Sequence, residues 1–294
     1  MTEKKRSSTR LPLVACEVAA NGVAAVRAER RPPRIAAMHS RALAKGVLTP
    51  ALNTENVQDA AALAGAIEQA LSAVGGRGQE IIAVLPDTAV RVMLLDFDSL
   101  PERHNEAEAT VRFRLKKSLP FDIDKAALSF EAQPAQQGVR VAASIIVRSV
   151  LDEYEAAFRA AGCSPGVVLP SSLAALGAVN ENRPTMLLKL GADASPVAVV
   201  QGDKLLLYRL LEGIGSAQPS AQRIADDIYP SLVYFQDNYG AAVEKLLVSG
   251  VAEFEKIAAQ LQEHTGAAVG ELIDPNLAAV GLRNEFAGAI GALL

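Results

Sequence analysis

The sequence predicts an α/β protein of two similar halves facing each other across a cleft, with a small α+β subdomain inserted into the first half. Three observations carry that prediction. Strand and helix signals alternate along the 294 residues, the pattern of mixed sheets flanked by helices. A plan of three meandering strands, then helix, then strand opens the chain and returns from residue 184. Between the two copies, residues 88–162 have a different character, a charged helix set among pairing strands.

In the first half, LPLVACEVA and VAAVRAERR flank Asn21-Gly22, a hairpin signal because both residues accept positive φ. IAAMH (35–39) supplies a third strand. Residues 56–74 place Val57, Leu63, Ile67, Leu71 and Val74 at helical spacing, and the Gly75, Gly76, Gly78 linker leads to the buried strand 80–86. Within the insert, strand 90–97 precedes a helix over roughly 102–118. LPFD (119–122) breaks that helix, and strands 127–133 and 139–147 follow. Helix 149–161 carries a stripe of Val150, Leu151, Tyr154, Ala157 and Phe158 and stops at Gly162. Strand 167–170 and a helix to about Val179 return to the first half. The second half repeats the plan with strands 185–190, 196–201 and 204–211, a helix over 218–239, strand EKLLVSG, a helix bearing Phe254, Ile257 and Leu261, strand AVGELI and a terminal helix from about 277. The expected domains are a disordered basic tail (1–10), a first half (11–87 and 163–183), the insert (88–162) and a second half (184–294).

Half of the residues are hydrophobic, enough for a substantial core, and a net charge of -4 argues against nucleic acid as the main partner. Basic residues crowd the start (Lys4, Lys5, Arg6, Arg10) and recur at Arg27, Arg30, Arg31 and Arg34. A solvated tail and turn is the preferred reading, and attraction to an anionic inner-leaflet surface is the sharper one. Cys16 and Cys163 are the only cysteines, and their apolar surroundings suggest buried, reduced thiols. The start lacks a signal peptide's apolar stretch, and no apolar run approaches the roughly 20 residues of a membrane span. The expectation is a soluble or peripheral cytoplasmic protein.

Four segments resemble one family. They are ATVRFRLKKSLPFDIDKAALSFEAQ (109–133), VAASIIVRSVLDEYEAAFRAAGCSPGVV (141–168), RIADDIYPSLVYFQDNYG (223–240) and LLVSGVAEFEKIAAQLQEHTGAAVGELIDP (246–275). The duplicated plan resembles the actin-like (ribonuclease H-like) superfamily, and these segments resemble the PilM family of type IV pilus assembly over nearly the whole chain from residue 11. The resemblance implies two actin-like halves around a nucleotide cleft. It also implies a scaffold at the inner face of the inner membrane, bound to the cytoplasmic N-terminal tail of a PilN-type membrane protein. Contact with pilus motor ATPases and assembly into homo-oligomers are implied only loosely.

In that superfamily an Asp-x-Gly turn from each half cradles phosphate and holds Mg²⁺, and a Gly-rich turn receives adenosine. Here Glu17 stands for the first Asp and Ala19 for its Gly, while Asn21 and Gly22 keep the turn and Ala24 replaces a Lys or Thr. In the second half Lys189 replaces the carboxylate, Gly191 survives and Asp193 lies nearby. Two opposed unit charges about 4 Å apart are worth on the order of 4 kcal/mol at an effective dielectric of 20, so a cation at this position disfavours Mg²⁺. Lys189 could instead meet a phosphate directly. Gly250 survives in the adenosine turn, but Val251 and Ala252 replace further glycines. Only EGIGSAQ (212–218) stands where the family carries helices that roof the cleft. These departures imply no catalytic residue, no metal site and no ATP hydrolysis, with ATP binding through Glu17, Asn21, Gly22, Lys189, Gly191, Asp193 and Gly250 left open.

For the partner's tail, the resemblance implies a groove between the 88–162 region and the preceding strands. Phe113, Leu119 and Phe121 are candidate contacts, with burial in the insert's own core as the plainer alternative. Glu102, His104 and Glu106 alternate on a helix and do not share a face, which favours a solvated surface over a metal site. Ser171-Ser172 reads as a helix N-cap rather than a nucleophile. The alternatives are an ATP-binding member whose nucleotide state gates assembly and the cytoplasmic domain of a type II secretion L-type protein. The latter continues into a membrane span, whereas EFAGAIGALL is too short to cross.

Overall fold

The computed structural model describes residues 11–30, 33–191, 194–212, 219–251, 253–278 and 280–294. The basic tail, Arg31, Asp193, Ala252 and nearly all of the segment expected to replace the roof lie outside the described residues.

The first sheet has the order β3-β2-β1-β4-β8, from β1 (Val14–Ala19), β2 (Gly22–Arg30), β3 (Pro33–Ala42), β4 (Glu80–Leu85) and β8 (Ser164–Pro170). The first three strands are an antiparallel meander, and β4 and β8 are added in parallel. The second sheet has the order β11-β10-β9-β12-β13, from β9 (Thr185–Lys189), β10 (Ala194–Gln201), β11 (Lys204–Glu212), β12 (Lys245–Ser249) and β13 (Ala268–Glu271). Its meander and its two parallel additions repeat the first sheet strand for strand. The duplication expected from sequence is thus a repeat of topology.

Helix α1 (Ala60–Ala73) fills the place in the first half that α5 (Ala221–Tyr239) fills in the second, and α3 (Arg148–Ala160) corresponds to α6 (Phe254–Thr265). Asp59 caps α1 by accepting from the Ala62 amide at 2.9 Å. The stripe on α3 packs Val150, Leu151, Tyr154 and Phe158 into the core that holds Leu63, Ile67 and Leu71 of α1. Although α3 was counted with the insert, its apolar face therefore belongs to the first half.

The insert proper is the antiparallel sheet β5-β7-β6, from β5 (Arg91–Phe97), β6 (Ala126–Pro134) and β7 (Val139–Val147), with α2 (His104–Leu115) against it. Its small core contains Val111, Leu115, Ile123, Val141 and Ile145. The His104 ring stacks on Phe130 with centroids 5.2 Å apart, which explains this histidine by packing. Among the described residues no His, Cys, Asp or Glu cluster could hold a metal ion. Both cysteines are buried and free, and burial pushes the Cys163 thiol up to about 11.

A further core joins the two sheets. Ala15, Ile82 and Val84 from the first meet Leu187, Ala198 and Leu247 from the second, with Ala174, Ala175, Ala289 and Ile290 between them. Those last residues lie on α4 (Ser171–Ala175) and α8 (Ala287–Gly291), short helices that follow the last strand of each half. Small residues permit the crossing: a Cβ on Gly177 would collide with the Gly291 carbonyl, and one on Gly291 would sit 2.6 Å from the Ala174 carbonyl. The remaining helix, α7 (Val280–Glu285), precedes α8.

The hairpin at Asn21-Gly22 forms, but for a reason other than the one the sequence suggests. The turn residues are Ala20 and Asn21, Ala19 pairs with Gly22, and neither Asn21 nor Gly22 has positive φ. Gly22 is required by crowding, since a Cβ there would lie 2.8 Å from the Arg41 carbonyl and 3.3 Å from the Phe286 ring.

Candidate functional site

The cleft residues are placed by equivalent strand ends. Glu17 on β1 lies opposite Ala24 on β2. On β9 Leu188 lies opposite Val197, which sets Lys189 opposite Pro196, the same position in the second hairpin. The two motif positions of the duplicated fold therefore carry opposite charges, and they meet. Lys189 Nζ donates to Glu17 Oε1 at 3.1 Å, with Glu17 only 1 % exposed and the lysine side chain 14 % exposed. The Ser171 hydroxyl, at the start of α4, contacts both Glu17 and Lys189. The second carboxylate oxygen of Glu17 accepts from the Ala289 amide in α8 at 2.7 Å. One buried carboxylate thus ties together β1, β9 and the two crossing helices.

A second buried carboxylate lies beside the first. Asp87, directly after β4, accepts from the Ser172 amide at 2.8 Å and its hydroxyl at 2.5 Å, and the Ser172 hydroxyl lies 2.9 Å from that of Tyr208 on β11. Burial raises the Asp87 carboxyl above the ordinary carboxylate range, against the opposing pull of Lys189 and Ser172. Burial alone would discharge Lys189, but the charges of Glu17 and Asp87 outweigh it and hold its pKa above the ordinary lysine value. The lysine is a cation enclosed by anions.

In this arrangement the Lys189 ammonium is held by Glu17 and Ser171. One sequence expectation is corrected. Ser171 and Ser172 do not cap α4 through their hydroxyls: Pro170 holds the N-cap position, and both hydroxyls reach carboxylates of the same half, Glu17 and Asp87.

The retained turn residues have structural uses of their own. A Cβ on Gly191 would lie 2.5 Å from the Ala194 carbonyl, and Gly250 has a φ of 90° with its Cα pressed against the Leu190 carbonyl. Asn21 Nδ2 lies 3.4 Å from Glu285 Oε2 at the mouth of the first hairpin. Glu17 and Lys189 are thus brought together, Gly191 and Gly250 sit along the same strand ends, and Asn21 and Gly22 face α7 and the start of α8. Ser171, Ser172, Asp87, Tyr208 and the Ala289 amide were missed. A signal for three of them existed, since two parallel strands end in Leu-Pro followed by a polar residue, LPD (85–87) and LPSS (169–172).

Of the candidate partner contacts, Leu119 and Phe121 pack against the insert's core, whereas Phe113 on α2 is 78 % exposed. The insert also reaches the second half. The Gln133 side chain exchanges two hydrogen bonds with the Leu205 backbone on β11, at 2.6 and 3.1 Å. Arg140 forks onto Asp96 at 2.6 and 2.8 Å and donates to the Leu206 carbonyl at 3.2 Å, and Tyr239 donates to that carbonyl at 2.7 Å. Arg140 holds Asp96 below the ordinary carboxylate range.

No protein-family model matches this chain, and no curated protein matches it. Solved structures do. A PilM-PilN type IV pilus biogenesis complex aligns with a TM-score of 0.77 at 22% identity, over 97% of this chain and 98% of that one. A Bacteroides thetaiotaomicron protein with an actin-like ATPase fold and unknown function aligns at 0.54 and 11% identity, over 92% and 93%. The cytoplasmic domain of EpsL, an inner membrane component of the Vibrio cholerae type II secretion system, aligns at 0.53 and 10% identity, over 90% and 99%. At these identities the likeness establishes the fold, which is actin-like, as expected from the duplicated sequence plan.

Proposed function

We propose that this chain is a non-hydrolytic actin-like scaffold of a type IV pilus assembly machinery, holding the cytoplasmic tail of a PilN-type inner-membrane partner. The observation that carries the non-hydrolytic part is the Glu17–Lys189 pair. In an active cleft, acidic residues from both halves face a metal-bound phosphate; here one of the two positions is a cation already neutralised by the other. Likeness to a PilM-PilN complex over nearly the full length supports the partner class. No described helix is long and apolar enough to cross a membrane. Phe113 is the contact the geometry leaves available, because its ring is not used by the insert's own core.

The test is capture of the full chain by an immobilised N-terminal tail from a PilN-type protein encoded beside it. Retention that falls at least tenfold in Phe113→Ser, about 1.4 kcal/mol, supports the proposal. Failure of the wild-type chain to bind overturns it. A second reading, a secretion-system inner-membrane component, is favoured by the EpsL likeness, and capture by a type II rather than a pilus partner's tail would select it.

A further inference from the structure

Strands β5 and β11 each lie at the edge of a different sheet, and each is paired on one side only. They run past each other in opposite senses. At one end they are fastened through Asp96, Arg140 and the Leu206 carbonyl. At the other end a half-open pocket of about 270 Å³ separates Val90, Arg91 and Val92 from Tyr208–Leu211. No backbone hydrogen bond joins the two strands among the described residues. The result is a wedge with a strand edge on each wall, the arrangement that accepts an added strand.

The charge at the wedge indicates what would enter. Arg91 and Arg209 both line it, and neither has a carboxylate partner among the described residues. The Arg209 guanidinium lies 4.8 Å from the centroid of the Tyr234 ring, which orients it without neutralising it. Between the arginines lies Leu210, while Val90 and Val92 are buried in the first half's core and Leu211 packs on that of the second half. We infer that this wedge docks an extended acidic segment of a partner protein by strand addition, with the unpaired strand edges taking its backbone and Arg91 and Arg209 taking its carboxylates. The site lies between the insert and the second half, whereas the groove expected for the membrane partner's tail lies between the insert and the first half, and the inference does not depend on that partner's identity.

The probe is a short fluorescent peptide alternating glutamate with valine, compared with a lysine–valine counterpart by anisotropy on the full chain. The glutamate peptide is expected to bind and the lysine peptide not to bind. Arg91→Glu and Arg209→Glu are each expected to weaken binding at least tenfold, with unfolding temperature checked for each variant. Amide exchange over Tyr208–Leu211 is expected to slow when the peptide is present. Phe113→Ser is expected to leave peptide binding unchanged, which separates this site from the proposed tail contact. Equal binding of the two peptides, indifference to both arginine reversals, or no binding up to about 1 mM, a standard free energy of only about -4.1 kcal/mol, overturns the inference. Complete displacement by inorganic phosphate with no change in amide exchange overturns it as well, reducing the wedge to an anion site.

Discussion

Lys189 Nζ rests 3.1 Å from Glu17 Oε1, joining residues 172 positions apart that occupy the same strand end in the two halves. The contact gives the two halves a charged tie. Removing Lys189 leaves the Glu17 carboxylate buried without its cation, and removing Glu17 leaves Lys189 only Asp87 as counter-charge; breaking a buried pair costs about 3–5 kcal/mol. Glu17→Gln and Lys189→Met are each expected to lower stability to urea by about that amount. The double variant Glu17→Gln/Lys189→Met should recover much of the loss, since neither position of the pair is left charged. Equal losses in single and double variants would refute the pairing as the cause.

Asp87 gives the cleft a pH dependence with a definite sign. Its folded pKa lies above the ordinary value near 3.8, so the fold holds a proton that the unfolded chain has released. Its contribution is present below the ordinary value and is lost as pH rises through the raised folded value. Asp87→Asn keeps an oxygen that accepts from Ser172 but removes the ionisation. The stability of the variant relative to wild type is therefore expected to increase as pH climbs through that window and then level off. Urea midpoints measured across the range check this, and a flat difference would remove Asp87 as the source.

The crossing of α4 and α8 sets a steric prediction. Gly177 faces the Gly291 carbonyl so closely that no side chain fits, and Gly288 has Ser171 and Glu17 oxygens 2.6–2.9 Å from where a Cβ would be. Gly177→Ala is expected to cost at least about 1–3 kcal/mol, the range for overpacking, and to lower the unfolding temperature. Gly65→Ala is the control: it lies in α1 with open space around it, so alanine there should be neutral or mildly stabilising. Equal effects at the two sites would show that the crossing is not tightly packed.

The repeat was legible because strand and helix periodicity is local, and the same local pattern occurs twice. Glu17 and Lys189 were each legible as departures from an acidic motif, yet their contact was not, because it depends on how closely two separate sheets approach. Ser171 and Ser172 looked like cap residues because Ser after Pro commonly caps a helix; only the position of β1 and of the end of β4 beside α4 brings Glu17 and Asp87 to their hydroxyls. Asn21-Gly22 announced a turn correctly, but glycine at 22 is required by the closeness of the Arg41 carbonyl and the Phe286 ring and not by a positive φ. The apolar stripe of α3 fixed a helix but not its owner, since either neighbouring core could have received it.

Nucleotide supplies the last prediction. Glycines at the two surviving turn positions would ordinarily argue for phosphate contact, but Gly191 and Gly250 are both demanded by the chain's own carbonyls at Ala194 and Leu190. With those glycines accounted for and Lys189 enclosed by Glu17 and Asp87, little remains to favour a bound triphosphate. A ligand at 100 times its dissociation constant adds about 2.7 kcal/mol, enough to move the unfolding temperature by several degrees. Millimolar MgATP is expected to produce no such shift in the wild-type chain. Lys189→Asp, which restores an acidic residue at the second motif position, should still show none, because Val251 and Ala19 continue to narrow the two turns. A MgATP shift in wild type that Lys189→Met abolishes would establish a nucleotide site and overturn the scaffold reading of the cleft.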